Sequence, residues 1–204
     1  MVTVGCVSDV GQFIFRFLLF IAVHSVCAIP SLKKRFVEQS QHLRRYYRLY
    51  YNLISLMLFG WVMAAFRHPT ILYVAPGVWS LVLYLLQIIF LLLLADCVRH
   101  TGVAAFLGFT GVSQDSLQAP RLVTTGWYRV VRHPLYLLSM LFLLSNPVVS
   151  TRGILLTLIS AVYFVVGALL EESRLLLEFG DEYRMYQRTV PFIIPRIFTR
   201  QVPV

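Results

Sequence analysis

A chain of 204 residues is long enough for one or two small soluble domains, but 58% of it belongs to the apolar and aromatic set and only 13% is charged. Soluble domains carry about 25% charged residues; with a mean hydropathy of +0.74 this chain lacks the polar surface to dissolve, to stay disordered or to form a soluble coiled coil. The net charge of +9, from 18 Lys and Arg against 9 Asp and Glu, would suggest nucleic acid in a soluble protein. Here the basic residues stand between apolar runs, where they orient a membrane protein and meet anionic headgroups, and no recognised motif supports a nucleic-acid partner.

The first apolar run, Val10 to Ile29, is interrupted only by Arg16. Its end, Val26-Cys27-Ala28, loosely resembles a signal-peptide cleavage site, but Asp9 stands where such a peptide carries positive charge, so it reads as a retained span. Leu49 to Phe66, Gly77 to Ala95 and Gly153 to Leu170 contain no formal charge and are long enough for the bilayer, which needs roughly 17–25 residues. Leu135 to Val149 is shorter, about 22 Å as a helix, and ends at the helix-disrupting Asn146-Pro147 pair. Ser150, Thr151 and Arg152 alone separate it from the last run, so 134–172 is predicted to be a tight helical hairpin. The expected fold is all-α: a polytopic single membrane domain of five transmembrane helices, 1–98 supplying three spans and 99–204 a loop, the hairpin and a tail.

Lys and Arg fall 15 on one side of such an arrangement and 2 on the other. This predicts an outside N-terminus, with the long loop near 96–133 and the tail cytoplasmic. In the tail, Leu175, Leu176, Phe179, Tyr183, Tyr186 and Val190 recur at helical spacing among charges, as in an interfacial amphipathic helix broken at Gly180. Cys6, Cys27 and Cys97 are unclustered, so neither a disulfide framework nor a metal site is expected.

The densest chemistry lies in Gly126-Trp127-Tyr128-Arg129-Val130-Val131-Arg132-His133-Pro134-Leu135-Tyr136. Pro134 fits a first helical position and keeps His133 outside the helix, where the helix dipole favours a neutral, hydrogen-bonding imidazole. Trp, Tyr and Arg are also ordinary interfacial anchors, and that reading stays open. Arg67-His68-Pro69 repeats the tripeptide on the opposite side, with Ile71 where Tyr136 would be, so context must decide. It comes from Glu171-Glu172, like charges costly beside a span unless compensated. Hairpin geometry sets residue 133 level with residue 169, which brings the carboxylates within about one helical turn of His133. Such a constellation suits a cationic or zwitterionic ligand; interfacial solvation of the two Glu is the alternative.

The sequence from Leu122-Val123 through Arg132-His133-Pro134-x-Tyr136 continues to Glu171-Glu172. Phe179-Gly180-x-x-Tyr183-x-x-Tyr186 and Val190-Pro191-x-x-Ile194-Pro195 follow. Together these resemble the isoprenylcysteine carboxyl methyltransferase and phospholipid methyltransferase superfamily over residues 120–195. His24-Ser25 and Arg45-Tyr46-x-x-Leu49-Tyr50-x-Asn52 resemble its NnrU-like and methanethiol-methyltransferase branch. The resemblance implies a membrane methyltransferase with S-adenosylmethionine as cofactor, held by Leu122, Val123, Tyr128, Arg132, His133, Tyr136, Glu171 and Glu172. It implies catalytic roles for His24, Arg132 and Glu172. Many relatives carry a charged residue where Ser173 stands. Carboxylates suit the donor's ammonium and sulfonium, and an Arg its carboxylate. The partners implied are the lipid bilayer and a lipophilic or small thiol, carboxylate or amine acceptor. The alternatives are a membrane assembly factor of the NnrU-like type and a sterol-type reductase using NADPH, although such reductases resemble Lys-Tyr-Gly-x-x-Trp where this chain has Glu178-Phe179-Gly180.

Overall fold

The computed structural model describes residues 2–66, 69–103, 107 and 122–196. Its elements, in chain order, are α1 (Val2–Ala28), α2 (Pro30–Gln39), α3 (Gln41–Met63), β1 (Ile71–Val74), α4 (Val78–Thr101), a 3-10 turn (Gly126–Arg129), α5 (Pro134–Leu144), β2 (Val148–Ser150), α6 (Thr151–Phe179) and α7 (Asp181–Thr189). They form two compact units. One contains α1–α3, the two strands and the first residues of α6; the other contains nearly all of α4, the 3-10 turn, α5, the rest of α6 and α7.

In the first unit, Pro30 opens α2 at a position where its missing N–H costs nothing. Ser40 caps α3 by accepting from the His42 N–H at 3.3 Å. The core joins α1 to the end of α3: Phe13, Phe17, Val62, Ala65 and Phe66 are at most 5% exposed, and the Phe13 and Phe66 rings lie 5.4 Å apart. Arg16 is satisfied rather than stranded within α1. Its guanidinium donates to the Trp61 carbonyl (3.0 Å) and to Gln12 Oε1 (3.1 Å), and lies over the Trp61 ring. Leu56 and Met57 face outward, as lipid-facing residues do.

The structure departs from the sequence reading in four places. The chain is not purely helical: β1 and β2 pair antiparallel, Tyr73 opposite Val149 and Val74 opposite Val148, with an irregularity between Ile71 and Tyr73. The arm expected over Leu135–Val149 stops at Leu144, because Pro147 cannot continue the helix and Val148–Ser150 is extended. α3 begins at Gln41, eight residues before the apolar run, and stops at Met63. α4 continues to Thr101, into what reads as loop. Among the described residues, three helices are long and apolar enough to cross a bilayer, at Asp9–Ala28, Val78–His100 and Thr151–Phe179.

The second unit buries Cys97, Val131, Leu138, Ala168, Tyr183 and Tyr186. Gln87 on α4 donates to the Phe142 carbonyl on α5 at 3.2 Å. Gly180 separates α6 from α7 with φ +55° and ψ −122°, a left-handed conformation that glycine adopts at least cost. The break redirects the chain so that Tyr183 and Tyr186, three residues apart on α7, turn inward. Asp181 and Glu182 open that helix and Arg188 closes it, matching its dipole.

Candidate functional site

Pro134 stands at the first turn of α5, and His133 before it has φ −123° and ψ 64°, outside the helical region. The backbone N–H groups freed there are taken by the segment after α7: Arg132 N–H donates to the Pro191 carbonyl (2.9 Å) and His133 N–H to that of Phe192 (3.2 Å). The Arg-His-Pro tripeptide is thereby fastened to the Val-Pro tail motif through main-chain bonds that require no particular side chains.

The side chains add a tighter knot. Arg132 engages Glu172 with two parallel bonds, Nε to Oε1 at 2.5 Å and Nη2 to Oε2 at 3.1 Å, the bidentate geometry that favours Arg for such pairs. Its Nη1 donates to the carbonyls of Gln187 (3.0 Å) and Val190 (2.6 Å). Glu172 also accepts from Gln187 Nε2 (2.8 Å) and faces His133 Nε2 (3.1 Å). Both side chains of the ion pair are little exposed, 11% for Arg132 and 12% for Glu172, so charge and hydrogen-bonding capacity are spent within the protein.

Glu171 differs. Its side chain is 37% exposed and meets His133 Nδ1 at 3.8 Å, and Tyr136 Oη donates to its Oε2 at 3.3 Å. The His133 ring is stacked at 5.7 Å on Tyr136 and meets Phe192 edge-on at 5.0 Å. Tyr136 in turn stacks on Phe164, and its hydroxyl would lie 3.6 Å from a Cβ at Gly167. The imidazole thus has one ring nitrogen toward each carboxylate.

Around this centre, Tyr186 Oη donates to the Tyr128 carbonyl (2.6 Å), and Trp127 Nε1 donates to Asp96 Oδ2 (3.0 Å), which anchors the 3-10 turn to α4. Burial, and then the charges of Cys97 and Glu171, push the Tyr128 phenol above its ordinary range. Burial pushes Tyr186 up to about 12 against the opposing pull of Arg132. Tyr183, 1% exposed, is raised by burial and by the Glu172 carboxylate. Near neutral pH all three are neutral phenols.

Of the residues singled out from the sequence, Arg132, His133, Tyr136, Glu171 and Glu172 meet directly, and Tyr128 joins them through Tyr186 and the charge of Glu171. Leu122 is half-buried and Val123 is 45% exposed; neither takes part in these hydrogen bonds. His24 belongs to the first unit, where it contacts Ser55 and Tyr51. Asn52 donates to the Leu107 carbonyl at 3.1 Å. Arg67 and His68, the second copy of the tripeptide, lie outside the described residues, as does most of the loop over 104–121. Among the described residues, no group of three or more His, Cys, Asp or Glu is placed to hold a metal ion. Gln187 and Phe192 went unread in the sequence. Gln187 follows Tyr186 and lies four residues from Tyr183, and this spacing marks it as part of the inward face of α7.

Three helices of membrane-crossing length among the described residues, and a mainly helical fold, define an integral-membrane protein, with its ionisable cluster gathered where α5, α6 and the tail converge. The chain belongs to the NnrU family, whose description is "NnrU protein" and whose pattern matches residues 12–191. It is 30% identical to methanethiol S-methyltransferase 2 of Bradyrhizobium diazoefficiens over 216 aligned residues, covering 98% of this chain and 80% of that protein. Methanethiol S-methyltransferase 1 of the same organism is 40% identical over 76 residues, 37% of this chain and 27% of the relative. The methanethiol S-methyltransferase of Pseudomonas deceptionensis is 33% identical over 70 residues, 34% and 27% of the two chains. No solved structure matches.

Proposed function

We propose that this protein is an integral-membrane methyltransferase that uses S-adenosylmethionine to methylate a small or lipophilic thiol. The observation that carries this reading is the division of labour within the Glu pair: Glu172 is saturated by Arg132, Gln187 and His133, whereas Glu171 keeps an exposed carboxylate edge beside His133 and Tyr136. A fixed, partly dry negative group fits a ligand that carries ammonium and sulfonium charges. When bound, S-adenosylmethionine would supply an electrophilic methyl group on a cationic sulfur. Glu171 would hold the ammonium, with His133 and Tyr136 bounding the same side; Tyr128, Leu122 and Val123 would bound the adenine.

Arg132 and Glu172 are better suited to hold the tail against the site than to touch the donor, because their bonds already end on one another and on residues 187 and 190. His24 is the candidate base for the acceptor. The names of the relatives, all methanethiol S-methyltransferases, favour a thiol over an amine or carboxylate.

The reading includes five membrane passages, with α3 and the short α5 joining the three longer helices. It places the N-terminus outside, the donor site on the cytoplasmic side and α7 at that interface. Its support is the 15-to-2 division of Lys and Arg. The β1–β2 pair belongs at the outer interface on this arrangement, since an open sheet edge in hydrocarbon would leave backbone groups without partners. An apolar thiol would enter from the bilayer and the water-soluble donor from the cytoplasm.

The test uses the full chain purified into lipid nanodiscs. It should bind labelled S-adenosylmethionine but not NADPH, and transfer label from the methyl group to methanethiol. Binding of NADPH alone would establish the reductase reading, and binding of neither would favour a non-enzymatic assembly role.

A further inference from the structure

S-adenosylmethionine carries two opposite charges on one carbon of its amino-acid end, and Glu171 answers only the ammonium. We propose that Arg174 binds the carboxylate, so that Glu171 and Arg174 form a clamp for the α-amino-acid end of the donor. The proposal rests on the methyltransferase reading and concerns groups in the second unit only.

Arg132 is a poor candidate for this task. Four of its five N–H groups end on Glu172 and on the carbonyls of Gln187 and Val190, and its side chain is only 11% exposed. Arg99 and Arg184 are paired with Asp96 and Asp181.

Arg174 is placed differently. Along α6, Phe164, Gly167, Glu171 and Arg174 follow one another at steps of three, four and three, which sets them in one stripe of the helix. The first three meet Tyr136. Phe164 stacks on its ring at 5.5 Å, Gly167 leaves room for its hydroxyl, and Glu171 accepts from that hydroxyl at 3.3 Å. Arg174 extends the stripe one turn past Glu171, and its charge reaches the same phenol. Among the described residues its guanidinium makes no hydrogen bond or ion pair, although Glu171 stands three residues before it and Glu178 four after.

Glu171 and Arg174 thus leave a gap between unlike charges on one helix face. A ligand that brings ammonium to the first and carboxylate to the second fills the gap with the charges in matching order, and no existing ion pair has to break. The planar guanidinium can meet a carboxylate through two parallel bonds. Glu171 is 37% exposed and Arg174 lies on the surface, so both carry charge without the penalty of deep burial. A simple amine would engage half of such a clamp; an α-amino acid engages all of it.

The test titrates the full chain in phosphatidylcholine nanodiscs with S-adenosylmethionine and with decarboxylated S-adenosylmethionine, which keeps the ammonium and sulfonium but lacks the carboxylate. Wild-type protein should bind the first about tenfold to a hundredfold more tightly, the range for a hydrogen bond to a charged group. Arg174→Gln should erase that preference by weakening S-adenosylmethionine alone, and its unchanged affinity for the decarboxylated ligand reports that it is folded. Glu171→Gln should weaken both ligands, since both carry the ammonium. The effect of Arg174→Gln should be the same in nanodiscs containing phosphatidylglycerol. Equal binding of the two ligands by wild-type protein, or a preference kept in Arg174→Gln, would overturn the clamp while leaving the methyltransferase reading intact. So would a loss confined to the anionic bilayer, which would give Arg174 to a lipid headgroup. Wild-type protein that binds neither ligand would overturn both.

Discussion

Replacing Glu172 by Gln should damage folding, whereas replacing Glu171 by Gln should damage donor binding, although the residues are adjacent and the substitutions identical. Glu172 balances a guanidinium that is only 11% exposed and accepts from Arg132 through both oxygens. Removing its charge leaves Arg132 buried without a counter-ion, a change that costs about 3–5 kcal/mol. The lower end applies, about 3 kcal/mol, because the Gln carbonyl still accepts one of the bonds. Glu171, with 37% of its side chain exposed and Tyr136 as its hydrogen-bond donor, should cost about 1 kcal/mol or less in stability, the level of solvent-exposed pairs. If Glu171 meets the donor ammonium, its neutralisation should weaken binding by about 1.5–3 kcal/mol, roughly tenfold to a hundredfold. Denaturant unfolding in mixed micelles measures the first quantity and titration calorimetry with S-adenosylmethionine the second. Equal destabilisation by the two variants, or unchanged donor affinity in Glu171→Gln, would refute the division of roles.

The raised phenol of Tyr186 makes stability fall with alkaline pH. The unfolded phenol loses its proton near 10 and the folded one near 12, so the folded state binds the extra proton between those values and loses about 2 kcal/mol of stability across that window. Tyr186→Phe should flatten this part of the unfolding profile between pH 10 and 12; an unchanged slope would show that Tyr186 does not carry it. For topology, single cysteines in place of Leu72 and Glu182, on a background without Cys6, Cys27 and Cys97, should differ toward an impermeant thiol reagent. Position 72 should react in intact cells and position 182 only after permeabilisation, and the reverse order would invert the proposed orientation.

The meeting of Arg132-His133-Pro134-x-Tyr136 with Glu171-Glu172 was legible because strong local signals bounded it: a Pro that starts a helix, an uncharged span and two carboxylates at its end. The division between the two carboxylates was not legible. It depends on which Glu faces Gln187 and Arg132, and so on the turn at Gly180 that brings α7 back. The strands were missed for a different reason. Ile71–Val74 and Val148–Ser150 are short apolar segments next to longer apolar runs, and a hydrophobic segment of three or four residues has too few periods to separate strand from helix.

The bonds of Arg132 also have a consequence in time. Its side-chain partners lie 40 to 58 residues later in the chain, so each leaves the ribosome after Arg132 has reached the translocation machinery. Until Glu172 has been made the guanidinium at the head of α5 has no carboxylate, and until residue 190 has been made it lacks its full set of carbonyl acceptors and must stay partly hydrated. The ionisable cluster is therefore completed late in synthesis, when α7 folds back past Gly180 and supplies the final contacts. A chain arrested before Gln187 would have the membrane helices, the histidine and both glutamates, yet lack the clasp that holds them in register. Such fragments would be inserted but unable to close the site, and a ribosome-arrest series read by donor crosslinking should show capture arising abruptly once the Val190 segment has emerged.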